Sequence, residues 1–297
     1  MESTGVYWIA PFQILEAKGI EVFLVNARFV KNVQGRQSDM LDCQWIRLLH
    51  SYGLLSKSRR PAAQLAVRRS YLRHRQMLVQ YAASHIQHMQ KALPQMQVQI
   101  HHVISDITGS TGMRIIRAMV DGKPDRKQLG AMRDLRTKAT EETIAKALEG
   151  DYRREHVFAL KQSLELFDSY PQQIQACDEQ IGAHMGSLET RANPVELKPA
   201  RKEKKTRRNP SALNIREEAF RNSGADLTQI DGISESAALG LIAEIGVDMS
   251  PSKTEKPFAS WLALSPNHKI SGGKILKRPR ARQPTVPATC CVCAHKV

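Results

Sequence analysis

Three carboxylates near the start of the sequence have the chemistry needed to bind catalytic metal ions. Glu2 precedes a glycine-containing turn, and Asp39 and Asp42 are three residues apart, which places both on one face of a helix. Mg²⁺ prefers oxygen ligands, and paired ions can hold the attacking and leaving oxygens in phosphoryl transfer. Taken singly, Asp39 beside Ser38 is more simply explained as a charge favoured at a helix N-terminus.

A hydroxyl and a cation occur together in the segment Ser271, Gly272, Gly273 and Lys274. A serine that attacks a phosphate must be activated and its oxyanion balanced, so a neighbouring cation and a flexible backbone suit that role. Ser271 is therefore a candidate catalytic residue and Lys274 a candidate nucleic-acid-binding residue. On its own, the segment is equally well explained as a loop.

Two other kinds of site are disfavoured by their spacing. Residues 109–112 (GSTG) do not match the GxxxxGK[ST] pattern of a phosphate-binding loop, which disfavours a nucleotide triphosphatase. Cys291, Cys293 and His295 lack a CxxC knuckle and a second ligand pair, so we do not expect a structural zinc site.

The charge distribution favours a polyanionic partner. The formal net charge is +15, and no acidic residue occurs between Asp42 and Asp106 or after Glu255. Nucleic acid is the usual partner of such a surface, although a solvated basic face that aids solubility, or more weakly a membrane-binding surface, remains an alternative. The candidate nucleic-acid-binding residues are Arg59, Arg60, Arg68, Arg69, Arg73, Arg75, Lys202, Lys204, Lys205, Arg207, Arg208, Gly232 and Lys274.

Length and composition favour a globular protein of about two domains. The chain has 297 residues, of which 41% are apolar, and no apolar run approaches the roughly 20 residues needed to span a bilayer. The first residues lack the basic region of a secretory signal. We therefore expect no membrane association and a cytoplasmic location.

Hydrophobic spacing predicts the elements that position the carboxylates. A helix is predicted over residues 5–18, a short strand over 21–26 and a second helix that begins at Ser38. Asp39 and Asp42 then lie in the first turn of the second helix. This order predicts an α/β unit.

The middle of the chain is predicted to be all helical. Apolar residues recur every seven positions after Pro61, which predicts a long helix able to pair with a second helix over 155–188. Residues 114–148 are predicted to form two shorter helices separated at 122–124. The heptad positions are Leu65, Leu72, Val79, Ile86 and Leu93.

A basic linker and a hairpin follow the predicted helices. Residues 198–212 (KPARKEKKTRRNPSA) are largely charged and lack apolar periodicity, so they are either a flexible tether or an arm that lies on phosphates. The pattern around Gly232 predicts two helices joined by a glycine turn. Such a turn either contacts a phosphate through its amides or is an ordinary helical hairpin.

Several blocks resemble the DEDD-type insertion-sequence transposases of the IS110 family and its IS1111 branch. The first blocks are residues 1–8 (MESTGVYW) and 38–46 (SDMLDCQWI). The later blocks are 230–233 (IDGI), the helix predicted over 258–264, and 266–274 (PNHKISGGK). Their order and spacing cover most of the chain, up to about residue 276.

The resemblance implies an α/β plus all-α fold. It implies a partial RNase H-like (resolvase-like) catalytic domain over 1–58, a helical coiled-coil region over 59–197, and a helical C-terminal transposase domain over 213–276. It further implies that Glu2, Asp39 and Asp42 bind Mg²⁺ and that Ser271 forms a covalent link to DNA. DNA, a guide RNA encoded by the element, and further copies of the chain joined through the coiled coil are the expected partners.

Two departures from the family pattern lead to a further hypothesis and to an alternative function. Only Met1 precedes Glu2, where the family has an earlier catalytic Asp, and residues 277–297 form an irregular tail instead of a basic helix. We hypothesise an N-terminal truncation and a frameshift near Lys277, so that this copy is inactive; translation of the other reading frames tests this. The alternative function is a non-catalytic nucleic-acid-binding or dimerising module.

Overall fold

The computed structural model of the chain describes residues 1–3, 5–26, 39–55, 57–58, 63–122, 125–199, 213–250, 254–261, 269–272 and 274–277. The chain divides into a first unit, Met1–Ala63, and a second unit, Gln64–Val297. The predicted linker over 198–212 and the tail over 277–297 fall almost wholly outside the described residues. None of the described helices is long and apolar enough to cross a membrane.

The first unit contains two helices and a short parallel pairing. Helix α1 (Ile9–Ala17) leads into an extended segment, and α2 (Asp39–Ser51) follows. One parallel bridge joins Glu2 and Val25. Strand character in the described part of this unit is limited to that bridge, so the RNase H-like sheet stays a prediction.

Two long helices form the axis of the second unit, α3 (Ala63–Gln95) and α8 (Arg154–Gly186). They run antiparallel, because Gln64 on α3 contacts His184 on α8 (carbonyl O to Nε2, 3.1 Å) while His85 contacts Tyr170 (Nε2 to hydroxyl, 3.4 Å). Both helices were predicted from apolar spacing, and their pairing as a supercoiled coiled coil stays a prediction.

A helical lobe connects these two helices. It comprises α4 (Ile100–Val103), α5 (Ser110–Val120), α6 (Arg126–Ala131), α7 (Glu141–Ala147) and the adjoining ends of α3 and α8. Its core is continuous and fully enclosed, as expected for close-packed apolar side chains. The members with no measurable exposure include Met89, Leu93, Met96, Ile100, Ile115, Ile116, Leu129, Ile144, Leu148 and Leu160.

The lobe has one more helix between residues 114 and 148 than the spacing predicts. Asp125 begins α6 by accepting a hydrogen bond from the Lys127 amide, and Thr140 begins α7 by accepting one from the Thr143 amide. A turn separates the two helices, and the Arg133 guanidinium donates to the carbonyl oxygens of Thr137 and Ala139 within it. The caps at Asp125 and Thr140 therefore begin two separate helices in a segment that apolar spacing had predicted as one helix.

Close backbone packing explains the glycine at position 112. A Cβ at Gly112 would lie 2.2 Å from the carbonyl oxygen of Ile107, so only glycine allows α5 to approach that backbone. The GSTG segment is thus explained by helix packing.

The C-terminal part of the second unit consists of short helices and a hairpin. Helix α9 (Ile215–Ser223) is followed by a 3-10 turn (Leu227–Gln229), α10 (Glu235–Ile245) and α11 (Glu255–Trp261). Strands β1 (Lys269–Ser271) and β2 (Lys274–Lys277) pair antiparallel. Side chains from α3, α8, α9 and α10 form the basal cluster, whose buried members are Ile181, Met185, Ile215 and Leu239.

A polar network holds α9 to the 3-10 turn. The Arg216 guanidinium donates to the Asp226 carboxylate at 2.5 Å and to the Thr228 hydroxyl at 3.0 Å, and both charged side chains are 11% exposed. Burial alone would raise the pKa of Asp226, but hydrogen bonds from Arg216, Thr228 and Gln229 outweigh it and lower the pKa to about 2. Asp226 therefore stays ionised in the folded protein down to strongly acidic pH.

Candidate catalytic and nucleic-acid-binding residues

Glu2 lies on the parallel pairing of the first unit. The Val25 amide donates to the Met1 carbonyl, the Ser3 amide donates to the Val25 carbonyl, and both bonds are 2.9 Å long. These bonds flank Glu2, whose side chain is half-buried. The backbone around this carboxylate is therefore fixed on both sides by the strand that follows α1.

Asp39 and Asp42 lie in the first turn of α2, as the spacing predicts. Their side chains fall outside the described part of the structure. Further along α2, Leu49 is buried with Val25, and Trp45 and Ile46 pack against them. This packing attaches α2 to the same extended segment that pairs with Glu2.

No group of three or more His, Cys, Asp or Glu side chains converges among those that the structure describes. Because the side chains of Asp39 and Asp42 are outside that set, this finding does not test the expected carboxylate cluster. The residue types do suit the ion, since three carboxylates supply the oxygen ligands that Mg²⁺ prefers. The Mg²⁺ site stays a prediction.

Ser271 ends β1 and faces Lys274 across the hairpin. The two residues are register partners, and both are exposed. Gly272 between them has a φ of +56°, a left-handed conformation that side-chain-bearing residues rarely adopt. A serine and a lysine therefore occupy paired, exposed positions of this hairpin.

The candidate catalytic residues are divided between the two units. Glu2, Asp39 and Asp42 belong to the first unit, whereas Ser271 and Lys274 belong to the second. Different segments of the backbone therefore position the two groups.

Gly232 lies in the turn that precedes α10. Its φ is +85°, and it is exposed. Ser234 begins α10, because its hydroxyl accepts a hydrogen bond from the Ala237 amide. The short helix, glycine turn and helix expected from the sequence are thus present, while the acidic neighbours Asp231 and Glu235 weaken the electrostatic attraction of this turn for a phosphate.

Two of the predicted nucleic-acid-binding arginines contact α10. Arg73 donates two hydrogen bonds to the Glu244 carboxylate, of 2.8 and 2.9 Å, and Arg69 donates to the backbone carbonyls of Ala243 and Glu244. The Glu244 side chain is only 9% exposed. We call this set the Glu244 clamp; it joins the first turns of α3 to the end of α10.

Arg75 forms a bidentate pair with Asp178 on α8. The Nε–Oδ1 and Nη2–Oδ2 distances are 2.5 and 3.2 Å, and both side chains are largely buried. Such a pair satisfies the guanidinium within the protein. Whether Arg69, Arg73 and Arg75 also contact nucleic acid stays a prediction.

Arg68 differs from its neighbours on α3. The residue is 8% exposed, and its Nε and Nη1 atoms are enclosed without a hydrogen-bond partner in the described part of the structure. The other predicted basic residues, Arg59, Arg60, Lys202, Lys204, Lys205, Arg207 and Arg208, lie outside the described residues.

Sequence reasoning missed the acidic halves of these pairs. Glu244 and Asp178 lie 171 and 103 residues from Arg73 and Arg75, and neither has a local pattern that marks it.

Two family models match the chain. The DEDD model of the IS110 type, described as Transposase, matches residues 1–98, and the model described as Transposase IS116/IS110/IS902 family matches residues 224–291. The chain belongs to the IS110/IS116/IS902 family of transposases. The first match contains Glu2, Asp39 and Asp42, and the second contains Gly232, Ser271 and Lys274. No curated protein and no solved structure matches the chain.

Membership confirms the resemblance inferred from the sequence blocks and assigns the chain a transposase function. The two matches together span more than half of the chain. They leave residues 99–223 unmatched, and that stretch includes helices α4 to α8 and thus most of the helical lobe.

Proposed function

We propose that this transposase exchanges DNA strands through a covalent intermediate on Ser271, with Mg²⁺ held by Glu2, Asp39 and Asp42. The Ser271 Oγ forms a bond to a backbone phosphorus, and the bond from that phosphorus to one deoxyribose oxygen breaks. The leaving oxygen takes up a proton, and the serine hydroxyl loses one. A second strand then displaces Ser271 in the reverse sense.

The exposed pair of Ser271 and Lys274 carries this proposal. Ser271 and Lys274 are register partners across the hairpin, which supports a role for the lysine charge in offsetting negative charge that develops on the phosphate oxygens. Both residues lie in the second family match, and the three carboxylates lie in the first. A DEDD transposase is expected to depend on a divalent cation, which the carboxylates would supply with ligands.

We further propose that DNA and a structured RNA of the same element bind to the chain. The basic linker over 198–212, which contains seven Lys or Arg and one Glu, has the charge to follow a phosphate backbone. Further copies of the chain would pair through apolar side chains that the long helices leave exposed, which include Val67, Tyr81, Phe158 and Leu166.

A covalent-adduct assay tests the catalytic proposal. The full chain is incubated with Mg²⁺, the RNA of its element and a plasmid that carries the joined element ends, and the products are separated under denaturing conditions. We expect a DNA-linked protein from the wild type and none from Ser271→Ala or after chelation of the metal. Ser169→Ala, which changes an exposed serine on α8, serves as the matched control and should form the adduct normally.

Lys274→Gln tests the cation beside the serine. We expect about 10- to 100-fold slower adduct formation, since removal of one charge that stabilises the reacting oxygens costs roughly that much. An adduct that survives in Ser271→Ala would disprove the role of Ser271. Salt-dependent binding without any adduct would favour the alternative, a non-catalytic nucleic-acid-binding module.

A further inference from the structure

Arg68 is a buried cation without a counter-charge among the described residues. It lies on the second turn of α3, about one turn before Tyr71 and Leu72 of the basal cluster, and is only 8% exposed. Nε and Nη1 are enclosed and have no acceptor among the described residues. Nη2 is the guanidinium nitrogen that is not enclosed in this way, so one corner of the group remains open to a ligand.

The register of the two long helices explains why Arg68 lacks a partner. Arg75 lies one heptad further along α3, on the same face, and pairs with Asp178. In the antiparallel helix α8, the position one heptad beyond Asp178 is Met185, which is 1% exposed. The register therefore pairs the Arg68 position with a thioether and not with a carboxylate.

The carboxylate of Glu244, which contacts the neighbouring arginines of α3, already has partners. Glu244 accepts hydrogen bonds from Arg73 and forms an ion pair with Arg69, at 2.7 and 3.2 Å respectively for the closest atoms. Arg69 and Arg73 lie one and five residues beyond Arg68. Among these α3 arginines, Arg68 alone lacks a carboxylate contact in the described structure.

An unpaired buried guanidinium is costly. Burial lowers the pKa of Arg68, but arginine stays protonated in proteins, so the charge persists. Enclosed donors without acceptors each cost free energy because they have lost their water. An anion bound at Nη2 would offset the charge.

We propose that Arg68 forms an anion-binding site that accepts one phosphate of a nucleic-acid backbone at the junction of α3, α8 and α10. This inference rests on the proposed function only in that the ligand is taken to be nucleic acid. Nη2 can donate a charge-assisted hydrogen bond to one phosphate oxygen, and the chain carries a net charge of +15, which attracts such a ligand. The bound phosphate stabilises the folded junction, since it binds the native state and not the unfolded chain.

The first test measures thermal unfolding of the full chain with and without inorganic phosphate, at constant ionic strength set by chloride. We expect phosphate to raise the midpoint of the wild type by a few degrees and to leave the midpoint of Arg68→Met unchanged. Arg75→Met is the matched control: it removes a guanidinium from the same face, and it should keep the phosphate response.

The Arg68→Met and Arg75→Met variants should also differ in the direction in which their unfolding temperature changes. In buffer without phosphate, Arg68→Met should unfold at the same or a higher temperature than the wild type, because it removes an uncompensated charge and keeps the apolar stem. Arg75→Met should unfold at a lower temperature, because it leaves Asp178 buried without a partner.

The second test measures binding of single-stranded DNA, duplex DNA and the RNA of the element as a function of salt. We expect Arg68→Met to weaken binding by roughly tenfold and to reduce the salt slope by about one for the nucleic acid whose phosphate occupies the site. Comparison of the three nucleic acids identifies which of them supplies the bound phosphate. This binding does not require the Ser271 adduct, so failure of the catalytic proposal leaves this measurement intact.

Two results would overturn the proposal. One is an equal phosphate-induced rise of the midpoint in the wild type and in Arg68→Met. The other is an unchanged salt slope in Arg68→Met for all three nucleic acids. Either result would mean that Arg68 contributes to packing alone.

Discussion

The helical lobe and the first unit differ in how they are packed. The lobe encloses a continuous core in which many Ile, Leu and Met side chains have no exposure, whereas the buried apolar residues described in the first unit are Phe12, Leu24, Val25 and Leu49. Most of the lobe lies between the two family matches and contains none of the candidate catalytic residues. The first unit contains three of them.

The tightly packed core is thus separate from the residues that we propose for catalysis. Ser271 and Lys274 are exposed, and the predicted metal ligands belong to the unit with the smaller core. Free energies of local opening vary across a protein with local packing. We therefore expect the lobe to open last and the first unit to depend more on its ligands for order.

Truncation of one leucine in each region gives the largest contrast. Leu148→Ala leaves a cavity in a fully enclosed core and should lower the free energy of unfolding of the lobe by about 2 to 5 kcal/mol. Leu49→Ala, the matched change in the first unit, should leave the main helical transition unchanged in denaturant melts followed by circular dichroism. Equal shifts of that transition would show that the two units unfold as one.

A pair of glycines tests how tight the packing of the lobe is. Gly112→Ala places a Cβ against the Ile107 backbone and should destabilise the protein by about 3 kcal/mol. Gly240→Ala, on α10, meets nothing within 4 Å in the described structure and should stabilise it by about 0.5 to 1 kcal/mol. Opposite signs in chemical denaturation are expected; a harmless Gly112→Ala would contradict the close approach.

Acid gives the smallest and most selective effect. The pKa of Asp226 is about 2 when folded and 3.8 for an ordinary aspartate, so its contribution to stability is complete above pH 3.8 and is lost as the pH falls toward 2. Asp226→Asn should remove this part of the pH dependence, which is measured by hydrogen exchange of amides in α9. Exposed Asp151, paired with Arg153, offers the control Asp151→Asn. The same loss in both variants would contradict the role of the network.

Local patterns were sufficient to predict most helices. Apolar spacing predicted both long helices, and Ser38 marked the beginning of α2. The extra break in the lobe depended on the Thr140 cap, which the apolar spacing of the segment masked. The need for glycine at position 112 could not be predicted from the sequence, because the contact with the Ile107 carbonyl forms only when the backbone is folded.

Charge was harder to interpret than periodicity. The acid-free stretch between Asp42 and Asp106 suggested a continuous basic surface, yet Arg73 and Arg75 meet Glu244 and Asp178 from distant parts of the chain. A stretch of sequence without acidic residues can therefore contact acidic side chains from other parts of the chain once the protein is folded. Ser271 and Lys274 were easier to place together, since two residues alone separate them.

The Glu244 clamp also bears on how this protein can change in evolution. It ties the beginning of α3 to the end of α10, so the chain returns to nearly the same place after an excursion of about 170 residues. The entropy of closing such an excursion grows only slowly with its length. Insertions or deletions at the far end of the helix pair therefore leave the closure point intact, and the lobe can be enlarged, reduced or exchanged while the two family-matched parts stay joined.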